Sequence, residues 1–262
     1  MGMFGHGGAR EDGMSERTVT AALVIIGNEI LSGRTRDENL AFLAQTLNEI
    51  GIQLREARVV PDAEADIVEA VNALRAKHDH VFTTGGIGPT HDDITSASVA
   101  KAMGLPFGFH PEAERRLRAY YPPEKLNDAR LKMAQTPEGA VLIDNPVSVA
   151  PGFTIGNVHV LPGVPLILQA MFAGLKPRLQ GGAVVQSRTI TVLCPEGDMA
   201  KPLAEIQAAH PTVEIGSYPF MRQGSFGTSL VLRSVDEAVI TSAADAILAV
   251  VRQRGVEVLD LF

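Results

Sequence analysis

Cysteine is nearly missing from this chain. Cys194 is the single one, so no intramolecular disulfide can form, and a reducing cytoplasm is the expected location. With no histidine beside it in sequence, Cys194 is expected to be a small buried hydrophobe. Also missing is any apolar run near the roughly 20 residues of a transmembrane helix, so no membrane is expected as a partner. The N-terminus, "MGMFGHGGAREDGMSERT", lacks the apolar core of a secretory signal. It is Gly-rich and polar, so residues 1–16 are expected to form a disordered tail, with Met14 as an alternative start and His6 too isolated to ligate a metal. Positive charge is in deficit. A net charge of −7 argues against nucleic acid as a partner but leaves room for a local pocket for a small anion. There is no zinc spacing, no defensible Ser-His-Asp order and no basic–aromatic interleaving.

What is present is a chain of 262 residues, 45% hydrophobic, long and apolar enough for one large domain or two modest ones with a sizeable core. The first half alternates strands and helices. Strands are expected at 18–26, 52–60 and 80–84. Helices are expected at 36–51, with Leu40, Leu43, Leu47 and Ile50 inward, at 62–77, with Ile67, Val68, Val71 and Leu74 inward, and at 92–104, ended by Gly104. That rhythm implies βαβ units and a three-layer, mainly parallel α/β sheet. Residues 105–139 read as a charged helical insertion near the sheet's carboxyl edge. A hairpin at 151–163 turns at Gly156-Asn157, with Asn157 suited to a positive φ. A helix at 164–175 closes a domain of residues 17–180, and "QGGA" (180–183) is the linker. The tail, 186–262, reads β-α-β-β-α-β, the pattern of a small ferredoxin-like α+β module.

Chemistry gathers after the strands. "TTGGIGPTHDDIT" follows a strand and opens a helix. Gly85, Gly86 and Gly88 expose backbone N–H groups at the carboxyl end of a parallel strand, where such sheets hold ligands. The pattern is neither a Walker A loop nor a Rossmann fingerprint. It fits either a phosphate cradle or a tight turn with Asp92 as a plain helix N-cap. His91 is a weaker acid–base candidate. "GNEILSGRTRDEN" places Asn28, Glu29, Ser32, Thr35, Asp37 and Asn39 in one loop after the first strand. Asp37 fits a ligand contact or a helix cap, and Arg34 and Arg36 fit phosphate contacts or solvated charges. "LPGVP" offers Gly163 for close backbone approach and Pro165 at a helix start. Lys125 and Lys132 fit phosphate contacts or a solvated helix face, and "NPVSVAPGF" is a fourth loop of small residues.

These stretches together resemble the molybdopterin-binding MoaB/Mog superfamily, most closely the N-terminal part of CinA-type (competence/damage-inducible) proteins. The resemblance covers about residues 18–178, and "TVEIGSYPF" is similar to the small module that follows in such chains. It implies a MoaB/Mog-like fold that binds a molybdopterin or nucleotide, with Gly85, Gly86, Gly88, Pro89, Asp93 and Thr95 lining a phosphate site. Asn28, Glu29, Ser32, Asp37 and Asn39 would face them, with Gly163 and Pro165 at the rim. It also implies divalent-metal-dependent cleavage of pyrophosphate bonds in nucleotides such as ADP-ribose or FAD. Asp93 would be the principal metal-binding or water-orienting acid, supported by Asp92, Glu29 and Asp37, with Mg²⁺ or a similar ion bridging to the diphosphate. Two alternatives stay open: non-catalytic binding of molybdopterin or a nucleotide, and molybdopterin adenylylation. Asn28 and Asp92 depart from the pattern of the adenylylating proteins. No C-terminal amidohydrolase domain is expected, so nicotinamide mononucleotide deamidation is not carried over. A homo-oligomer, dimer or trimer, is the family expectation.

Overall fold

The computed structural model describes residues 18–222 and 224–261, so the expected tail at 1–16 lies outside the described residues. The chain divides into two compact units, one ending at Ala183 and one beginning at Val184. No helix among the described residues is long and apolar enough to cross a membrane.

The first unit begins with β1 (Val19–Ile26), whose run of apolar residues is buried on both faces. Ala22, Val24 and Ile26 point into one core with Ile67, Val71, Leu74 and Val99, whereas Ala21, Leu23 and Ile25 point into another with Leu43, Leu47, Leu168 and Phe172. Successive strand side chains face opposite ways, so one strand supplies two helix layers. The elements that follow are α1 (Asn28–Leu31), α2 (Asn39–Asn48), β2 (Ile52–Val60), α3 (Glu64–Arg75), β3 (His80–Thr84) and α4 (Thr95–Met103). An insertion holds β4 (Phe107–Phe109), α5 (Pro111–Tyr120), α6 (Asp128–Lys132) and β5 (Gln135–Pro137). Then come β6 (Val141–Ile143), β7 (Gly152–Ile155), β8 (Val158–Leu161) and α7 (Pro165–Leu175).

The sheet order is β2-β1-β3-β8-β7-β6. β2, β1, β3 and β8 run parallel, while β7 is antiparallel to both its neighbours. Ile25 pairs with Thr84 and Thr84 with Leu161, so β1, β3 and β8 end together at one edge. The three loops singled out in the sequence therefore leave the sheet side by side.

Four expectations need correction. The helix expected from Asp92 starts at Thr95. In α2 the buried stripe is Asn39, Leu43 and Leu47, and Leu40, one position off that stripe, is 37% exposed. The positive φ of the β7–β8 hairpin belongs to Gly156, at 57°, not to Asn157. The Asn157 amide instead donates to the carbonyls of Arg75 and His78. The insertion is not purely helical, since β4 and β5 pair as an antiparallel ribbon.

At the amino end of β3, His80 and His159 form a directed chain. His80 Nε2 lies 3.2 Å from the Gln180 carbonyl, which only accepts, so that nitrogen carries the hydrogen. In neutral His80, Nδ1 then accepts from His159 Nε2 at 3.1 Å, and the Thr154 hydroxyl donates to His159 Nδ1 at 3.0 Å. Phe82 stacks on the His159 ring, with centroids 4.8 Å apart. Burial, ahead of the repulsion that Arg178 and a protonated His80 exert, pushes the His159 pKa down to about 3.

The second unit contains β9 (Gln186–Val192), α8 (Glu196–Ala209), β10 (Glu214–Arg222), β11 (Ser225–Ser234), α9 (Glu237–Gln253) and β12 (Val258–Leu261). Its antiparallel sheet has the order β10-β11-β9-β12. Ile190, Leu230 and Leu232 pack with Met199, Ile240 and Ile247 in a separate core that includes Cys194, which is buried as expected.

Candidate functional site

β3 ends at Thr84 and the chain turns through the glycine loop. Gly85 has φ 101°, and a Cβ there would stand 2.2 Å from the Ile26 carbonyl oxygen, so only glycine fits. Its amide donates to the Leu161 carbonyl at 3.2 Å and is not free for a phosphate. Thr95 is fully buried beneath the loop. Its hydroxyl donates to the Gly85 carbonyl at 2.9 Å and its amide to the Gly86 carbonyl at 3.0 Å. Thr95 thus holds the loop from below instead of facing outward. The amides of Gly86, Ile87 and Gly88 donate no hydrogen bond within the described residues. Successive unpaired amides at a strand's carboxyl end are a donor set for an anion.

Beyond the glycines, Thr90 organises the two acids. Asp93 Oδ2 accepts from the Thr90 amide at 2.8 Å and lies 2.5 Å from its hydroxyl. Asp92 Oδ1 lies 2.6 Å from the same hydroxyl, whose single hydrogen serves one carboxylate at a time. Asp92 therefore does not cap α4; Thr90 captures it two residues earlier. This hydroxyl, ahead of a backbone hydrogen bond and the charges of His91 and Lys132, holds the Asp92 carboxyl below its usual range. Gly88 faces Asp93, and a Cβ there would stand 2.7 Å from Oδ2. Lys132, on α6, donates to the Thr90 carbonyl at 2.7 Å, so the insertion grips the same turn. Pro89 and His91 are exposed.

Two open clefts lie here. The first gathers Glu29, Arg36, Asp37 and Asn39, Thr84, and Gly163 and Pro165 from three separate stretches. Asn39 Nδ2 donates to the Gly163 carbonyl at 2.8 Å. Asn39 Oδ1 and Thr84 Oγ1 are buried without a partner. Asp37 also accepts from the Leu40 amide at 2.8 Å, so it steadies the start of α2 while lining the cleft. Gly163 approaches Gly85 so closely that a Cβ on it would lie 3.3 Å from the Gly85 Cα. The second cleft is lined by Gly88, Asp93, Lys132, Phe107, Met133 and Ile94.

Asn28 and Ser32 line neither cleft. The Asn28 amide is taken by Asp62 at 2.9 Å, and the Ser32 hydroxyl donates to the Glu29 carbonyl at 3.2 Å around the short helix α1. The acids are divided: Glu29 and Asp37 line one cleft and Asp93 the other, and among the described residues no three His, Cys, Asp or Glu side chains form a metal-ready group. The Asn145 loop is organised by its own hydrogen bonds to Ser148 and Ala150, and Val149 there holds a strained φ of 63°.

Sequence reading missed Thr84, Thr90 and Asp62. Thr84 looked like an ordinary strand residue, yet its position at the last rung of β3 was a signal. Thr90 had one too: it precedes two acids at hydrogen-bonding distance in sequence. Asp62 carried none, because only the β1–β2 pairing brings it to Asn28.

Fold and site together define a class: an α/β domain whose parallel strands deliver glycine-bearing loops to one edge, with unpaired donors waiting there. The family described as "Probable molybdopterin binding domain" matches residues 22–181, more than half of the sequence, and the chain belongs to that family. A second family, "FAD synthase, middle domain", matches residues 184–259, the second unit. A protein of Aeropyrum pernix is 37% identical, over 91% of this chain and 94% of its own length. A CinA-like protein of Desulfosudis oleivorans is 38% identical over 75% of this chain, and a "Probable FAD synthase" of Caenorhabditis elegans is 33% identical over 85%. The aligned regions cover about half of those two longer proteins, 51% and 49%. The crystal structure of CinA from Thermoplasma acidophilum superimposes with a TM-score of 0.59 at 35% identity, covering 63% of this chain and 99% of that one. The first unit has the MoaB/Mog-like fold, and the chain is CinA-like.

Proposed function

We propose that this protein binds a nucleotide diphosphate of the ADP-ribose or FAD kind on its glycine loop and hydrolyses the pyrophosphate bond with the help of a divalent cation. The observation that carries this reading is the row of unpaired amides at Gly86, Ile87 and Gly88, beside the buried, unpartnered Thr84 hydroxyl. Those amides would orient phosphate oxygens. Lys132 would add positive charge at the loop's far side, where it already reaches Thr90. Asp93 would orient the attacking water, its carboxylate fixed by Thr90. Among the described residues no metal cage is preassembled. The residues still fit a Mg²⁺-like ion, because such ions are held by one or two carboxylates plus substrate phosphates and water. Asp93, with Asp37 as a second candidate, would hold it, and the ion would supply charge neutralisation and an activated water. The likeness to FAD synthase relatives supports a nucleotide ligand.

The test is turnover of ADP-ribose and FAD with Mg²⁺, with a chelator, and with Asp93→Asn. Metal-dependent release of AMP by the wild type, lost in Asp93→Asn, is expected. No metal-dependent hydrolysis of either compound overturns the catalytic part. The division of the acids between two clefts favours a second reading, binding without turnover. Mass spectrometry of the small molecule that co-purifies, intact or cleaved, separates the two.

A further inference from the structure

The second unit turns one face of its sheet away from its own helices. Ile190, Val192, Leu230 and Leu232 pack under α8 and α9. Their alternate neighbours form the opposite face: Thr189 and Thr191 on β9, Ser229, Val231 and Arg233 on β11. The pairing register adds β10, with Tyr218 opposite Ser229, Phe220 opposite Gly227 and Arg222 opposite Ser225. Ser229 in turn pairs with Thr191, and Val231 with Thr189. The floor of this face is therefore low, built from glycine, short hydroxyl-bearing side chains and one valine.

Two rings lie over that floor. Tyr218 leans back over Gly216, where an added Cβ would stand 3.0 Å from its ring, and it stays 51% exposed. Phe220 reaches across to β11, where a Cβ on Gly227 would collide with the tip of its ring. Glycine at both places lets the rings recline. Two positions along a strand are about 7 Å apart, so each ring offers its own patch. Arg222 and Arg233 are exposed and make no hydrogen bond or ion pair among the described residues. Residues 215–234 contain no Asp or Glu, in a chain that has 30 of them. The carboxylates of this face stand at its borders, Glu214 opposite Arg233 and Asp260 opposite Thr191. Rings that take bases, arginines that take phosphates and hydroxyls that take sugars or base edges are the parts of a single-strand platform. The net charge of −7 speaks against a duplex held by a broad basic face, whereas unpaired bases are also gripped by stacking.

We infer that this face of the second unit binds single-stranded nucleic acid, with Tyr218 and Phe220 each stacking a base and Arg222 and Arg233 taking backbone phosphates. The site uses no residue of the glycine loop and stands independently of the activity proposed for that loop.

The test uses the full chain at low salt and fluorescence anisotropy with dye-labelled oligo(dT), oligo(U) and a DNA duplex of the same length, all without terminal phosphates. Binding of either single strand, with the duplex held more weakly, supports the site, and the tighter of the two strands names DNA or RNA as its source. Tyr218→Ala is expected to weaken the bound strand about tenfold, in the range of one lost stacking contact, and Tyr218→Phe to retain it. Tyr218 is exposed, so neither change disturbs the core. Gly227→Ala, which displaces the Phe220 ring, is expected to weaken binding as well. Arg222→Gln is expected to make the affinity less dependent on salt. Excess ADP-ribose is expected to leave the strand bound. The inference is overturned by a wild type that binds neither strand or grips the duplex as tightly. It is equally overturned by a Tyr218→Ala variant that binds like the wild type, or by displacement with ADP-ribose. None of these results bears on turnover at the glycine loop, which is measured separately.

Discussion

Asn39 and Gly163 lie 124 positions apart, and the Asn39 amide nitrogen donates to the Gly163 carbonyl at 2.8 Å. This bond ties the first residue of α2 to the loop after β8. It also settles the orientation of the amide, because a carbonyl only accepts; Asn39 Oδ1 is left buried without a partner.

Asn39→Asp keeps the shape but replaces the donor with a second acceptor facing the carbonyl. It should cost about 1–3 kcal/mol of stability, the penalty for an unsatisfied buried group. Urea denaturation measures this, and calorimetry with ADP-ribose should show weaker binding.

Thr84→Val tests the orphaned hydroxyl. Burying a hydroxyl without a partner costs stability, so removing it should stabilise the protein by about 1 kcal/mol. Ligand affinity should fall in the same variant. A gain in melting temperature coupled to a loss of binding is the expected signature of a group retained for a ligand. A loss in both would make Thr84 an ordinary packing residue.

Gly86→Ala meets Thr95. Its Cβ would lie 2.2 Å from Thr95 Oγ1, on a residue with φ 67°. Strain of that kind costs on the order of 1–3 kcal/mol. Thr95→Ala removes the obstructing oxygen, so the double variant should be less destabilised than the sum of the two singles, measured as a double-mutant cycle.

His159 sets an acid limit. Its folded pKa is depressed to about 3 from an ordinary 6.5. Between those values the unfolded chain takes up a proton that the folded chain refuses, so stability is full above the upper value and falls as pH drops toward the lower. The slope from this one group reaches about 1.4 kcal/mol per pH unit. In His159→Phe, stability measured across this window should fall less steeply than in the wild type.

The fold was legible where one physical rule acted alone. β3 was expected at 80–84 and lies there, because a short stretch rich in β-branched and aromatic residues, stopped by Gly85-Gly86, has few other options. The second unit's order of elements was equally plain in its alternation. Competition defeated the rest. Asp92 looked like a cap until Thr90 captured it, and the Phe107–Phe109 strand was too short to show a period. Burial of Asn39 had no local cue, since the carbonyl that satisfies it arrives from the other side of the domain. At the site, the loops were readable as polar and glycine-rich; their division into two clefts was not, because it depends on the β3–β8 pairing and on where the insertion folds back.

Thr95 beneath the glycine loop has one more consequence, which concerns entropy. A loop pinned from below by a side-chain hydroxyl and a backbone amide has little freedom left to lose. An anion landing on it gives up its own motion but need not still the protein. Affinity at this edge of the sheet should therefore report the quality of contact, with only a small cost for ordering.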